Sequence, residues 1–192
     1  VYLEEQIHRK KRDRSVSSFW NKLAACVLAL TAAVAGAAMP VEAGWEQAGT
    51  EWRYTDESGE NAADGFQWID GSWYFFDSSG TMRTGWEKEG GKWYYFSASG
   101  RMVTGWLKQG ENWYYLNSSG EMTVGWKQVN GKWYYLDPAS GKMRTGLLSF
   151  ENAVYYLNES GVMQTGEVKV SGGIMDFGGD GRLIGTDYSY EP

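Results

Sequence analysis

Two ladders of glycine constrain what this 192-residue chain can fold into. Gly65, Gly85, Gly105, Gly125, Gly146, Gly166 and Gly185 recur at steps of 20, 20, 20, 21, 20 and 19, and Gly44 extends the series backwards by 21. The residues after them are Trp45, Phe66, Trp86, Trp106, Trp126, Leu147 and Glu167. Seven positions further on stand Trp52, Trp73, Trp93, Trp113, Trp133, Val154 and Ile174. The second ladder runs Gly59, Gly80, Gly100, Gly120, Gly141, Gly161 and Gly181. Most of its copies are followed by a methionine: Met82, Met102, Met122, Met143 and Met163, with Leu183 in the last. A fixed period of this length marks a repeat architecture, in which no unit encloses a core alone.

Each copy reads as a β-hairpin. In residues 125–137, Asn130-Gly131 is a strong two-residue hairpin signal, because a type I′ turn needs positive φ at both central positions. Asp70-Gly71 and Gly90-Gly91 sit at the equivalent place. The flanks are rich in aromatic and β-branched residues, which favour strands. A turn at 130–131 pairs Trp126 with Tyr135 and Gln128 with Trp133. Side chains alternate along a strand, so Trp126, Trp133 and Tyr135 share one face, and Tyr134 and Leu136 the other. The same holds for Trp106, Trp113 and Tyr115, and for Trp86, Trp93 and Tyr95. A lone hairpin is marginal in water, so the copies must stack. The expected fold is all-β: a solenoid of about seven stacked hairpins over residues 44–192. Ser-, Asn- and Gly-rich segments such as 97–101 and 117–121 connect them, with no long helix and no second globular domain after residue 43.

Residues 1–43 differ in kind. Arg9 to Lys22 supply a positive region, Leu23 to Met39 an uncharged apolar run, and Pro40 then breaks it before Val41-Glu42-Ala43. This order fits an export signal cleaved after Ala43. The run is almost long enough to span a membrane, so an uncleaved anchor, positive side inward, is the alternative. Cys26 lies too early in the apolar run for a lipobox and reads as a small apolar filler. With the helical signal removed, residues 44–192 hold 12 basic against 20 acidic groups.

These features exclude several functions. An acidic body lacks the basic stripe that nucleic acid requires. One Cys and one His, Cys26 and His8, leave neither a disulfide framework, nor a thiolate zinc cage, nor a His-dependent triad in the repeats. The glycines match neither phosphate-binding fingerprint. Asp176, Asp180 and Asp187 lack the spacing of a calcium loop. No metal and no cofactor are expected. Residues of the Tyr134 and Leu136 type, with the methionines, read as core.

The Trp-Trp-Tyr face exceeds what a small core needs. Large rings facing a groove can box a quaternary ammonium by cation–π attraction. A ligand without N–H groups gives hydrogen bonds nothing to hold. The rings can also stack on sugars.

Gly85-Trp86, Trp93-Tyr94-Tyr95-Phe96, Gly100, Met102 and Thr104-Gly105-Trp106 together resemble the choline-binding repeats of Gram-positive surface proteins. The resemblance covers about residues 44–185. It implies a left-handed hairpin solenoid that binds choline of wall or membrane teichoic acids. It also implies cages made of two Trp of one hairpin, a Tyr of the next and a nearby Met. Carried over by position, three cages are complete: Trp86, Trp93 and Tyr115; Trp106, Trp113 and Tyr135; Trp126, Trp133 and Tyr156. Met122, Met143 and Met163 are their candidate methionines. Two weaker sites are Trp45, Trp52 and Phe75, and Phe66, Trp73 and Tyr95. The segment from Gly59 to Gly65 is one residue longer and has no Met, which weakens the first. On this assignment Tyr114 faces away from the ligand. Leu147, Val154 and Asp176 hold no ring where the next cage would fall, so the last two repeats read as a cap.

The leading expectation is a secreted, wall-associated, non-catalytic attachment module with choline as partner. The alternative is a glucan- or peptidoglycan-binding module of related architecture. A catalytic domain enters only if this sequence is a piece of a longer chain.

Overall fold

The computed structural model describes residues 43–187. The expected signal, with His8 and Cys26, lies outside them but for Ala43. Among the described residues, fourteen five-residue strands form seven antiparallel hairpins. They are β1 (Gly44–Ala48) with β2 (Glu51–Thr55), β3 (Gly65–Ile69) with β4 (Ser72–Phe76), and β5 (Gly85–Glu89) with β6 (Lys92–Phe96). Next come β7 (Gly105–Gln109) with β8 (Asn112–Leu116), and β9 (Gly125–Val129) with β10 (Lys132–Leu136). The series ends with β11 (Gly146–Phe150) and β12 (Ala153–Leu157), then β13 (Gly166–Val170) and β14 (Gly173–Phe177). The register is the one the turn arithmetic requires: Trp126 lies opposite Tyr135 and Gln128 opposite Trp133. Asn130 and Gly131 have φ of 49° and 77°, and Asp70-Gly71 and Gly90-Gly91 also have positive φ at both residues. The all-β hairpin repeat expected from the sequence is the fold observed.

A last strand, β15 (Leu183–Asp187), has no counterpart in the sequence reading. It pairs with β14 to make a three-stranded sheet. It covers a sheet edge that would otherwise stay open to a further strand.

The hairpins join through their loops. After each hairpin the chain turns back, and the methionine bridges the end of the second strand, as Met102 does to Phe96. The same methionine's amide donates to the carbonyl of the second Trp one hairpin earlier: Met102 N to Trp73 O at 2.8 Å and Met122 N to Trp93 O at 2.8 Å. A Cβ added at Gly100, Gly120, Gly141, Gly161 or Gly181 would overlap the sulfur of Met82, Met102, Met122, Met143 or Met163, respectively. The Gly–Met ladder is therefore a packing joint between successive loops. Phe76, Phe96, Leu116, Leu136, Leu157 and Phe177 end the second strands and are fully buried. They form the central row of the core.

A side chain at the start of each loop shapes the turn. Asn117 Oδ1 accepts from the amides of Ser119 and Glu121 at 2.9 and 3.0 Å. Asp77 and Asn158 do the same in their loops. The loop after β10 is longer, and Asp137 Oδ1 accepts from Ala139 N and Ser140 N instead. Its carbonyl meets Gly141 N four residues on, where Asn117 meets Gly120 three residues on. This absorbs the 21-residue step without moving the next hairpin. The Ser79 hydroxyl, then the Thr81 amide, hold the Asp77 carboxyl below its ordinary range, and the Ser140 hydroxyl and amide do so for Asp137.

Two predictions follow from these joints. Gly105 and Gly120 share nearly the same φ, 81° and 83°, but only Gly120 faces a methionine sulfur. In denaturant unfolding, Gly105→Ala should cost about 1–2 kcal/mol for the left-handed conformation. Gly120→Ala should cost a further ~1–3 kcal/mol for overpacking; equal losses would contradict the joint. The second concerns acid. A depressed carboxyl stabilises the fold above the unfolded value near pH 4, and that contribution is lost as pH falls through the folded value. Asp137→Asn, which copies Asn117, should melt like wild type at pH 7 and lose less stability between about pH 4 and 2. Parallel acid limbs would refute the role given to Asp137.

Candidate functional site

Cross-strand pairing puts Trp86, Lys88, Trp93 and Tyr95 on one face of the β5–β6 hairpin and Tyr94 and Phe96 on the other. The two tryptophans on that face meet edge to face. Trp86 and Trp93 are 6.4 Å apart at 90°, Trp106 and Trp113 6.3 Å at 87°, and Trp126 and Trp133 6.5 Å at 85°. The second Trp of each pair stays open to solvent, with Trp93, Trp113 and Trp133 at 41%, 38% and 40% exposure. The first is half-buried, because it also packs on the Tyr opposite it: Trp86 on Tyr95 at 5.2 Å, Trp106 on Tyr115 at 5.1 Å and Trp126 on Tyr135 at 5.2 Å. Each of these three hairpins thus presents a right-angled aromatic corner to solvent.

The third ring differs from the one the resemblance implies. Across the hairpin boundary Trp86 touches Tyr114 at 5.0 Å, Trp106 touches Tyr134 at 4.7 Å and Trp126 touches Tyr155 at 4.9 Å. In the earlier hairpins Trp45 touches Tyr74 at 4.7 Å and Phe66 touches Tyr94 at 4.8 Å. Tyr115, Tyr135, Tyr95 and Phe75 instead lie opposite the first aromatic of their own hairpin. Tyr156 lies opposite Leu147 and 6.3 Å from Phe177. The reason is strand alternation. The corner face of one hairpin packs against the opposite face of the next, and only the first Tyr of the Tyr-Tyr pair points back to it. Tyr115 is covered from the next hairpin by Lys127 Nζ, 5.6 Å from its ring centre. Tyr114, expected to face away, is the ring that faces the corner.

The methionines follow the corners in order. Met122, Met143 and Met163 donate from their amides to Trp93, Trp113 and Trp133, and Met82 to Trp52. The corner of Trp45 and Trp52 therefore draws its methionine from the following repeat, and the lack of one between Gly59 and Gly65 costs it nothing. A cleft of about 650 Å³ opens here, lined by Trp45, Trp52, Tyr74, Met82, Ala98, Ser99 and Arg101. Arg101 Nε donates to Tyr74 Oη at 3.3 Å. Sequence reasoning missed Tyr74, Met82 and the 98–101 loop at this site. Strand alternation alone does not find the tyrosine, because it fixes the two faces of a hairpin but not which of them the preceding hairpin covers.

The second weaker site is closed. Trp68 lies 5.2 Å from Trp73, and Trp73 is only 8% exposed. It belongs to a buried cluster with Tyr94 and Phe96, against which Phe66, Phe75 and Met102 pack. Burial first, then the Glu121 and Glu89 carboxylates, raise the Tyr94 phenol above its ordinary value. Toward the C-terminus, Leu147 and Val154 replace the tryptophans, Asp176 lies opposite Glu167, and no corner forms. Among the described residues no group of three His, Cys, Asp or Glu side chains is placed to hold a metal.

The choline-binding repeat family model matches residues 63–104, 83–125, 103–146 and 123–166. Among solved structures, CbpJ from Streptococcus pneumoniae TIGR4 is 38% identical, with a TM-score of 0.71 over 74% of this chain and 52% of its own. Choline binding protein F from Streptococcus pneumoniae is 37% identical, with a TM-score of 0.69 over 74% and 52%. The same protein in the presence of a peptidoglycan analogue, a tetrasaccharide-pentapeptide, gives 40% identity and a TM-score of 0.68 over 74% and 46%. The chain spans about half the length of these structures. No curated protein matches it.

The contrast between Trp73 and Trp113 is testable. Trp73→Ala should destabilise the fold by roughly 3–5 kcal/mol, as buried Trp truncations do. Trp113→Ala, at an open corner, should cost well under half of that in the same denaturant titration. Equal costs would mean that Trp113 is core and its corner is no site.

Proposed function

The chain belongs to the choline-binding repeat family, and from that premise we propose that it is an attachment module holding choline groups of teichoic acid at a Gram-positive cell surface. The observation that carries this reading is the repetition of one open corner. Trp86 with Trp93, Trp106 with Trp113, and Trp126 with Trp133 each stand at right angles over a Tyr of the next hairpin. The corner of Trp45, Trp52 and Tyr74 is a fourth. π faces set at right angles surround a compact cation, and a trimethylammonium group is such a cation with no proton to donate. A sugar ring would prefer one flat platform, so the glucan or peptidoglycan alternative is less well served.

The module works by number. A few weak contacts per corner, repeated along one rigid solenoid, raise the effective concentration of each choline for the next site. No step of this function requires catalysis. The net negative repeat region attracts the ammonium and repels the phosphates of the polymer, so long-range charge contributes little. Export through the 1–43 segment, cleaved after Ala43, would deliver the module to the wall.

Choline added to the full chain should raise its melting temperature, because it binds only the folded state. It should also change Trp fluorescence saturably, where sodium chloride at equal ionic strength does neither. Calorimetry should lose one site in Tyr114→Leu and keep the full number in Tyr115→Leu. A folded protein that ignores choline and binds a peptidoglycan fragment would replace this reading with the glycan one. The reverse Tyr pattern would restore Tyr115 as the cage wall.

A further inference from the structure

One position varies from hairpin to hairpin at the mouth of every corner: the residue directly across the strand pair from the second tryptophan. It is Gln47 opposite Trp52, Trp68 opposite Trp73, Lys88 opposite Trp93, Lys108 opposite Trp113 and Gln128 opposite Trp133. Directly opposed side chains on an antiparallel pair share a face and touch, so each of these residues leans over its own corner.

What it does there depends on its chemistry. Trp68 lays a ring against Trp73 and buries it. Lys88 Nζ stands over the Trp93 ring, 5.7 Å from its centre, and Lys108 Nζ stands over Trp113 at 5.8 Å. Both ammonium groups use the π face that a ligand cation needs, and both repel that ligand by charge. They are tethered to the hairpin and so always present at high local concentration. They do not shut the corner, since Trp93 and Trp113 remain 41% and 38% exposed. Gln47 and Gln128 bring no charge, and the cations nearest their corners, Arg101 and Arg182, bond the phenols of Tyr74 and Tyr155 and leave the tryptophan faces to a ligand.

Building on the choline reading, we infer that this cross-strand position grades the corners. Trp68 closes one, Lys88 and Lys108 are tethered competitors at two, and Gln47 and Gln128 leave two open. Quaternary ammonium ligands therefore fill the corners of Trp45–Trp52 and Trp126–Trp133 before those of Trp86–Trp93 and Trp106–Trp113. An exposed cation–π contact is worth about two- to five-fold in an equilibrium constant. That is the separation expected between the two classes.

The test is calorimetric titration of the full chain with choline chloride at constant ionic strength. Wild type should show two affinity classes. The Lys88→Gln/Lys108→Gln double variant should show one, its weaker class tightened about two- to five-fold. Gln128→Lys should move one site from the tight class to the weak one. All three side chains are exposed, so unchanged melting temperatures without ligand would confirm intact folding. Double-variant and wild-type isotherms that overlay, with both proteins binding, would overturn the grading and leave the choline reading standing. Absence of binding heat from wild type would remove the choline reading and the grading together.

Discussion

Each methionine of the ladder ties three consecutive hairpins together, and the rest of the fold hangs on that tie. Met102 lies in the loop after β6, bonds through its amide to Trp73 in β4, and places its sulfur where a side chain on Gly120, after β8, would stand. A two-stranded sheet of five-residue strands has two faces and two edges and can satisfy neither by itself. The methionine supplies a backbone bond to one neighbour and apolar contact to the other. The loops can then turn tightly enough to bring the buried row from Phe76 to Phe177 into line.

The aromatic corners grow out of the same joint. The carbonyl of Trp93 is held by Met122 while its indole stays exposed. Backbone and ring of one residue thus have separate tasks, one structural and one open to a ligand. A ligand that fills the corner between Trp93 and Trp86, against Tyr114 of the next hairpin, braces the boundary between two repeats. On the proposed choline reading, binding would stiffen the solenoid for this geometric reason.

Much of this was legible in the sequence because two-residue turns fix register. Once Asn130-Gly131 is a turn, every cross-strand pair of β9 and β10 is determined, and Trp126 and Trp133 must share a face. Packing between hairpins was less legible. Register says which face Tyr114 and Tyr115 leave by, but not which face the preceding hairpin covers. The resemblance therefore puts the third ring at Tyr115, whereas the contact falls on Tyr114. Trp68 carries no sequence signal, because nothing local distinguishes a ring that binds from one that fills the corner of its own hairpin. β15 escaped because Leu183–Asp187 carries neither the Gly-Trp start nor the aromatic run of the other strands. The loop methionines were visible as a ladder. Their dependence on the following glycine was not, since it links residues 18 or 19 apart through space alone.

The central claim is that the open corners are seats for a quaternary ammonium. Its most direct test is a crystal structure of the full chain grown with choline. The account predicts a trimethylammonium group enclosed by Trp86, Trp93 and Tyr114, and again by Trp106, Trp113 and Tyr134. Empty corners at saturating choline, or a ligand seated against Tyr115 and Tyr135 instead, would contradict it.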